Sequence, residues 1–153
     1  MISIRQIKYT DLKKMNEILK KYNLNESDLI NNLDTSLIMI ENEIIIGLSM
    51  YENIDDEFGV INFTGYNIPF MDNNYRDGLY RATLNHMLYN GLEFGVILTT
   101  SSNFSFYNKL NIEKLDTKEV ESLKILNRNS EEVVTAFKVE IDSFFNRPCL
   151  SMS

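Results

Sequence analysis

Tyr75-Arg76-Asp77-Gly78-Leu79-Tyr80-Arg81-Ala82-Thr83-Leu84 is followed, after one apolar run, by Asn103-Phe104-Ser105-Phe106-Tyr107-Asn108-Lys109-Leu110-Asn111-Ile112. The first stretch sets two arginines around a glycine at a predicted helix start. That helix is read from about Gly78 to Asn90, with Leu79, Ala82, Leu84, Met87 and Leu88 turned to the core and Asn90-Gly91 as its stop. A helix start has amides without intrahelical acceptors and the positive end of the peptide dipole, so it suits an anion such as a phosphate. Residues 93–100 then read as a buried strand, and Ser102 or Asn103 as the cap of a short helix bearing Tyr107.

Working outward, residues 2–7 alternate apolar and polar side chains as a half-buried strand does. A helix is expected from Thr10 as N-cap, with Leu12, Met15, Ile18, Leu19 and Tyr22 on one stripe and Asn23 at its exit. Asn25 starts a second short helix, with Asp28 in the capping-box place and Leu24 packing on Leu29 as a staple. Residues 37–40 and 44–50 form a hairpin around Glu41-Asn42-Glu43, and Gly47 marks a bulge or a close backbone approach. The acidic turn Asp55-Asp56-Glu57 leads to a long strand over 58–68 that Pro69 ends. Downstream, residues 120–126 and 133–141 read as two strands paired across Asn127-Arg128-Asn129-Ser130.

The chain has 153 residues, 44% of them hydrophobic, enough for one globular domain over 1–153 that buries about 70% of its unfolded surface. A net charge of −7 opposes nucleic acid as a partner and fits a cationic amine better. One cysteine, Cys149, excludes an internal disulfide framework, and with one histidine, His86, it cannot build a compact nitrogen and sulfur metal site, so no metal is expected. No apolar run approaches the roughly 18 residues of a membrane span, and Met1 leads straight into the first strand without a signal-peptide pattern. The expected setting is therefore the cytoplasm, with no membrane partner.

The run 75–112 resembles the core of the GNAT superfamily of N-acetyltransferases. In that family a loop of pattern Gln/Arg-x-x-Gly-x-Gly/Ala opens a helix whose amides hold the pyrophosphate of acetyl-CoA, and a Phe-Tyr-x-Lys-Leu-Gly-Phe-like run follows. Here that run is Phe106-Tyr107-Asn108-Lys109-Leu110-Asn111-Ile112. Tyr75 stands at the Gln/Arg place and Tyr80 at the second small position; with Arg76 as the leading arginine the loop is one residue short. A looser similarity joins the chain to GNAT-like proteins of low-GC anaerobic bacteria, through Arg76-Asp77-Gly78-Leu79 and the tail Phe144-Phe145-Asn146-Arg147-Pro148-Cys149. The resemblance implies an α/β (α+β) fold, a mixed and mostly antiparallel sheet of about seven strands with helices on both faces. The long strand 58–68 and the strand 93–100 should then run parallel, joined by the intervening helix.

The same resemblance implies direct attack of a neutral amine on the thioester of acetyl-CoA (coenzyme A) as cosubstrate. The reaction needs a base for the ammonium proton, donors for the oxyanion and an acid for the thiolate. It assigns Tyr107 as the acid, with packing of its helix as the other reading. It assigns the cofactor to Arg76, Asp77, Gly78, Leu79, Tyr80 and Arg81, to Asn103 on the pantetheine arm or merely as an N-cap, and to backbone amides from Tyr66 to Ile68 as oxyanion donors. Gly65 lies where the family splays this strand, or at an ordinary bulge. No Asp or Glu occurs between Phe58 and Pro69, where many members carry the base. The acid turn at 55–57 reads as solvated, and His86 as structural. The activity implied is N-acyl transfer to a small-molecule or peptide amine, by a protein with room for a homodimer; a catalytically inactive GNAT-fold binding or regulatory module is the alternative.

Overall fold

A computed structural model describes residues 1–69, 73–100 and 112–145. Seven strands form one sheet: β1 (Ile2–Gln6), β2 (Ser36–Glu41), β3 (Ile44–Asn53), β4 (Phe58–Tyr66), β5 (Phe94–Thr100), β6 (Glu113–Lys114) and β7 (Val133–Glu140), in the order β1-β2-β3-β4-β5-β7-β6. The helices are α1 (Asn16–Tyr22), α2 (Glu26–Ile30), α3 (Asn73–Tyr89), α4 (Thr117–Leu123) and α5 (Ile141–Phe145). β1 with β2, β2 with β3, β5 with β7 and β6 with β7 are antiparallel, whereas β4 and β5 are parallel, as the helix between them requires. Among the described residues no helix is long and apolar enough to cross a membrane.

The chain falls into two compact units. The first comprises Met1–Tyr51 and Phe63–Thr83. Alternation along its strands sends side chains to two faces. On one, Ile38, Leu48, Met50 and Phe63 pack with Leu12, Met15, Ile18, Leu19 and Leu29 from the first helices. On the other, Met39, Ile46 and Tyr66 pack with Leu79 of α3, joined by Ile4, Ile68 and Tyr75. The β2–β3 turn places Asn42 at φ 52° and Glu43 at φ 69°, and the ladder slips one residue between Met39 and Ile40. That slip is the irregularity signalled by Gly47, which pairs with Met39.

The second unit comprises Glu52–Asn62 and Leu84–Ser153. Val60, Val96, Leu98, Val133 and Ala136 pack there with Leu115 and with Val120 of α4. Gly95 lies under α3: a Cβ on it would stand 2.5 Å from Leu84 Cδ2 and 3.2 Å from Met87 Sδ. The parallel ladder runs from Phe58 with Phe94 to Ile61 with Ile97, and β4 continues to Tyr66.

Three boundaries differ from the sequence reading. The first helix is a 3-10 turn, Tyr9–Lys14, followed by α1, and its entry is set by Asp11 rather than Thr10. The Asp11 carboxylate accepts the Lys8 amide at 2.8 Å and two Arg5 guanidinium bonds at 2.8 and 2.9 Å, so the turn is anchored to β1. Residues 120–126 are helical, not a strand: Asp116 caps the Glu119 amide at 2.8 Å, and Val120, Leu123 and Leu126 recur every third residue on the apolar cluster. The sixth strand is instead the short β6, at Glu113 and Lys114. Finally, α3 begins at Asn73, not Gly78. Tyr75 and Leu79 lie four apart on one face, and burying that stripe carries the helix through Gly78, against a glycine penalty of about 1 kcal/mol.

Candidate active site

At the exit of β4 the strand's backbone is held by side chains of α1. Gly65 permits this. A Cβ on it would meet Tyr22 Cε2 at 2.6 Å and Phe63 Cζ at 2.8 Å, so the tyrosine ring lies directly over the glycine. Tyr22 also meets the Phe63 ring edge-on, with centroids 5.3 Å apart at 89°. From this seat the Tyr22 hydroxyl accepts the Tyr66 amide at 2.8 Å and donates to the Tyr66 carbonyl at 3.2 Å. Lys21 Nζ donates to the same carbonyl at 2.6 Å. One residue on, the Asn67 amide donates to the Ile46 carbonyl of β3 at 2.8 Å, and the Asn67 side-chain amide donates to Glu17 Oε2, also at 2.8 Å. Successive strand residues aim their backbone groups at opposite edges. The Tyr66 groups therefore lie on the edge away from β3.

Of the three amides expected as oxyanion donors, Tyr66 and Asn67 already have acceptors. The Ile68 amide has none among the described residues. Ile68 itself is half-buried, packed on the Met39, Ile46, Tyr66 and Leu79 cluster, which fixes the chain where it leaves the strand.

The phenol of Tyr66 points to the α3 face. Its oxygen is buried and meets no hydrogen-bond partner among the described residues, and burial pushes its pKa well above the usual tyrosine value. The neighbouring phenol of Tyr80 pushes in the same direction and the Arg76 charge opposes it. Tyr80 is itself buried, with its hydroxyl 3.1 Å from Thr64 Oγ1.

The arginine and glycine run thus forms the first two turns of α3 rather than a loop before it. Asp77, Gly78, Leu79, Tyr80 and Arg81 all lie within the helix, which is described from Asn73. Leu79 is fully buried, and Asp77 Oδ2 accepts Arg81 Nε at 2.8 Å. Gly78 lines a cleft of about 300 Å³ with Ile2, Ile4, Met39, Asn74 and Tyr75. Tyr107 and Asn103 lie outside the described residues, as does Cys149.

Other candidates resolve simply. Asp55 Oδ1 accepts the amides of Glu57 and Phe58 at 2.7 and 3.0 Å, so the acidic turn carries its own structural carboxylate. His86 Nδ1 lies 3.1 Å from Asn90 Nδ2 one turn on. Among the described residues no three His, Cys, Asp or Glu side chains are grouped so as to hold a metal ion. Sequence reasoning missed Glu17, Lys21 and Tyr22, taking Tyr22 for part of a core stripe. The signal that could have found Tyr22 is Gly65, a side-chain vacancy in mid-strand that something else must fill.

No protein-family model and no curated protein matches the chain. Solved structures do. N-acetylglutamate synthase from Neisseria gonorrhoeae, complexed with coenzyme A and N-acetyl-glutamate, superposes with a TM-score of 0.72 at 13% identity over 92% of this chain. The chain spans 35% of that protein's length, about a third. PaiA N-acetyltransferase from Thermoplasma acidophilum, in complex with coenzyme A, gives 0.69 at 14% identity over 91% of this chain and 99% of its own. A GNAT family acetyltransferase from Elizabethkingia anophelis with acetyl-CoA bound gives 0.66 at 15% identity over 91% and 97%. This chain has the fold of the GNAT N-acetyltransferases.

Proposed function

We propose that this chain is a single GNAT-type domain over residues 1–153 that transfers an acyl group, in the first instance acetyl, from coenzyme A to a primary amine of a small molecule or peptide. Fold by itself does not decide function. The observation that carries the reading is the exit of β4, where the Ile68 amide meets no acceptor among the described residues and sits on a strand end held by Lys21, Tyr22 and Asn67. A donor fixed by the surrounding structure before the reaction is what a developing oxyanion needs. Ile68 takes that role in our reading. Helix α3 supports the cofactor assignment, with Arg76, Asp77, Gly78, Leu79, Tyr80 and Arg81 in its first turns and the helix dipole and the charge of Arg76 serving the pyrophosphate. Arg81 adds charge one turn further along, shared with Asp77.

In this reading the amine nitrogen attacks the thioester carbon, the carbonyl pair moves onto oxygen at the Ile68 amide, and collapse expels the thiolate, which Tyr107 protonates while the proton shed by the nitrogen passes through water and restores the phenol. Asn103 bonds the pantetheine arm. The net charge of −7 favours a cationic acceptor by long-range attraction. We assign the protein to the cytoplasm of a bacterium and allow for a homodimer. Titration with coenzyme A and acetyl-CoA by calorimetry is the test, followed by thiol release with a panel of primary amines and peptide N-termini. Binding is expected in the micromolar range typical of substrates. A wild-type protein showing neither heat nor a melting shift at millimolar coenzyme A would fail this reading and favour the inactive binding module.

A further inference from the structure

We infer that the Tyr22 hydroxyl is a second hydrogen-bond donor to the acyl carbonyl oxygen, at the edge of β4 that faces away from β3; this rests on the acyltransferase reading above. The argument is a count of protons and lone pairs. Tyr66 offers one amide proton and one carbonyl at that edge. The amide proton goes to the Tyr22 oxygen at 2.8 Å, a normal N–H···O length. The carbonyl already has the Lys21 ammonium at 2.6 Å, a short charge-assisted bond. The remaining contact, from the Tyr22 hydroxyl to that same carbonyl, is 3.2 Å, long for O–H···O. The phenol proton is thus the one group in the cluster whose present acceptor is already satisfied by a stronger donor.

Turning that proton onto a ligand oxygen leaves neither Tyr66 group unpaired. The Tyr66 amide still has the Tyr22 oxygen, and accepting that bond polarises the phenol so that it donates more strongly. The carbonyl still has Lys21. The ring does not need to move, because Gly65 and Phe63 hold it, and only the hydroxyl rotor turns. The bottom of the site thereby offers two donors, the Ile68 amide and the Tyr22 hydroxyl, the latter seated from α1 on Tyr66, two residues before Ile68. The step balances without proton transfer by Tyr22: the C–N bond forms, the carbonyl pair becomes an oxyanion held by both donors, the pair returns as the C–S bond breaks to thiolate, and the proton shed by the nitrogen leaves through water to balance the one the thiolate takes up. Lys21 is a positioning residue, since it keeps the Tyr66 carbonyl from recapturing the phenol proton.

The test compares acetyl-CoA with coenzyme A, which lacks the carbonyl, by calorimetry and by the carbonyl ¹³C shift of [1-¹³C]acetyl-CoA. Tyr22→Phe keeps the ring over Gly65 and removes only the hydroxyl. Its affinity for acetyl-CoA should fall roughly two- to tenfold, the range for one neutral hydrogen bond, with coenzyme A affinity unchanged and the bound ¹³C signal moved back toward the free value. Lys21→Met retains the phenol but leaves its proton to the Tyr66 carbonyl, so the acetyl preference should shrink there too, by less. If Tyr22→Phe does not fold, Lys21→Met and the wild-type ¹³C shift carry the decision. Equal losses for both ligands, or a ¹³C shift identical in wild type and variants, would overturn the donor role and leave the acyltransferase reading standing. Failure of wild type to bind either ligand would sink both.

Discussion

Replacing Gly65 with alanine puts a carbon where the Tyr22 ring already is. The new Cβ would stand 2.6 Å from Tyr22 Cε2 and 2.8 Å from Phe63 Cζ, each about 1 Å inside ordinary van der Waals contact. Neither ring yields easily, since they pack edge-to-face and the Tyr22 hydroxyl is tied to the Tyr66 backbone. Overpacking of this kind costs about 1–3 kcal/mol, against a gain of about 0.5–1 kcal/mol from removing glycine from a strand interior. The net loss should be up to about 2.5 kcal/mol, a fall in Tm of up to about 10 °C for a chain of this size. Tyr22→Ala alone should destabilise by about 3–5 kcal/mol through lost packing. In the double variant the alanine methyl enters the space the ring vacated, so Gly65→Ala should then be neutral or stabilising. The coupling in a double-mutant cycle should be about 1–3 kcal/mol, measured by urea denaturation. Additivity within about 0.5 kcal/mol would refute the claim that Gly65 exists to seat Tyr22, and with it the geometry assigned to the hydroxyl.

Two further predictions concern buried polar groups. Tyr66→Phe removes a buried hydroxyl that has no partner among the described residues, so stability should stay level or rise by about 1 kcal/mol, read from the denaturation midpoint; a loss above about 1 kcal/mol would mean the hydroxyl is bonded after all. Asp11 is held below the usual carboxylate range chiefly by its hydrogen bonds from Arg5, with the Lys8 amide adding to them while burial opposes both. Its folded pKa lies below its unfolded value, so its contribution is fully present above the unfolded carboxylate pKa near 4 and is lost as pH falls through the lower folded value. Asp11→Asn should therefore flatten the acid limb of stability against pH below about pH 4, and an unchanged limb would assign acid sensitivity elsewhere.

Legibility tracked the range of the interactions involved. The alternation in 2–7, the apolar runs 37–40 and 44–50, the helical stripe through Ile18 and Leu19 and the parallel 58–68 and 93–100 pair rest on local pattern plus one topological rule, and these matched the fold. Residues 120–126 failed because Val120, Leu123, Ile125 and Leu126 make the short segment largely apolar, which suits a strand as well as a helix, while Val120, Leu123 and Leu126 satisfy a period of three. The Asp116 cap, outside that window, decided between them. The start of α3 failed because Gly78 is a poor helix residue, and only the tertiary partners of Tyr75 and Leu79 reveal why it is carried inside. Tyr22 was invisible for a stronger reason. Its partner Tyr66 is 44 positions away, and no local pattern distinguishes a core tyrosine from one whose oxygen reaches round a strand.

The weakness of the sequence motif follows from which atoms the proposed chemistry uses. An oxyanion donor at Ile68 and an anion site at the first turn of α3 are both built from backbone amides, which are the same whatever side chain the residue bears. The side chains of that helix are then free to serve packing. Leu79 and Tyr80 are turned to the sheet, Tyr75 packs on the Met39 cluster, and Asp77 pairs with Arg81. A small residue at position 80 is not needed when the ring there points to Thr64 rather than outward. What must be kept is the path of the chain: a strand ending near Tyr66, then a helix beginning at 73. In this chain the strand end is specified by Gly65, Tyr22 and Lys21. An identity of 13% to a protein of the same fold is what such a division of labour allows, because the constraint falls on backbone position and a few long-range contacts rather than on a contiguous run of letters.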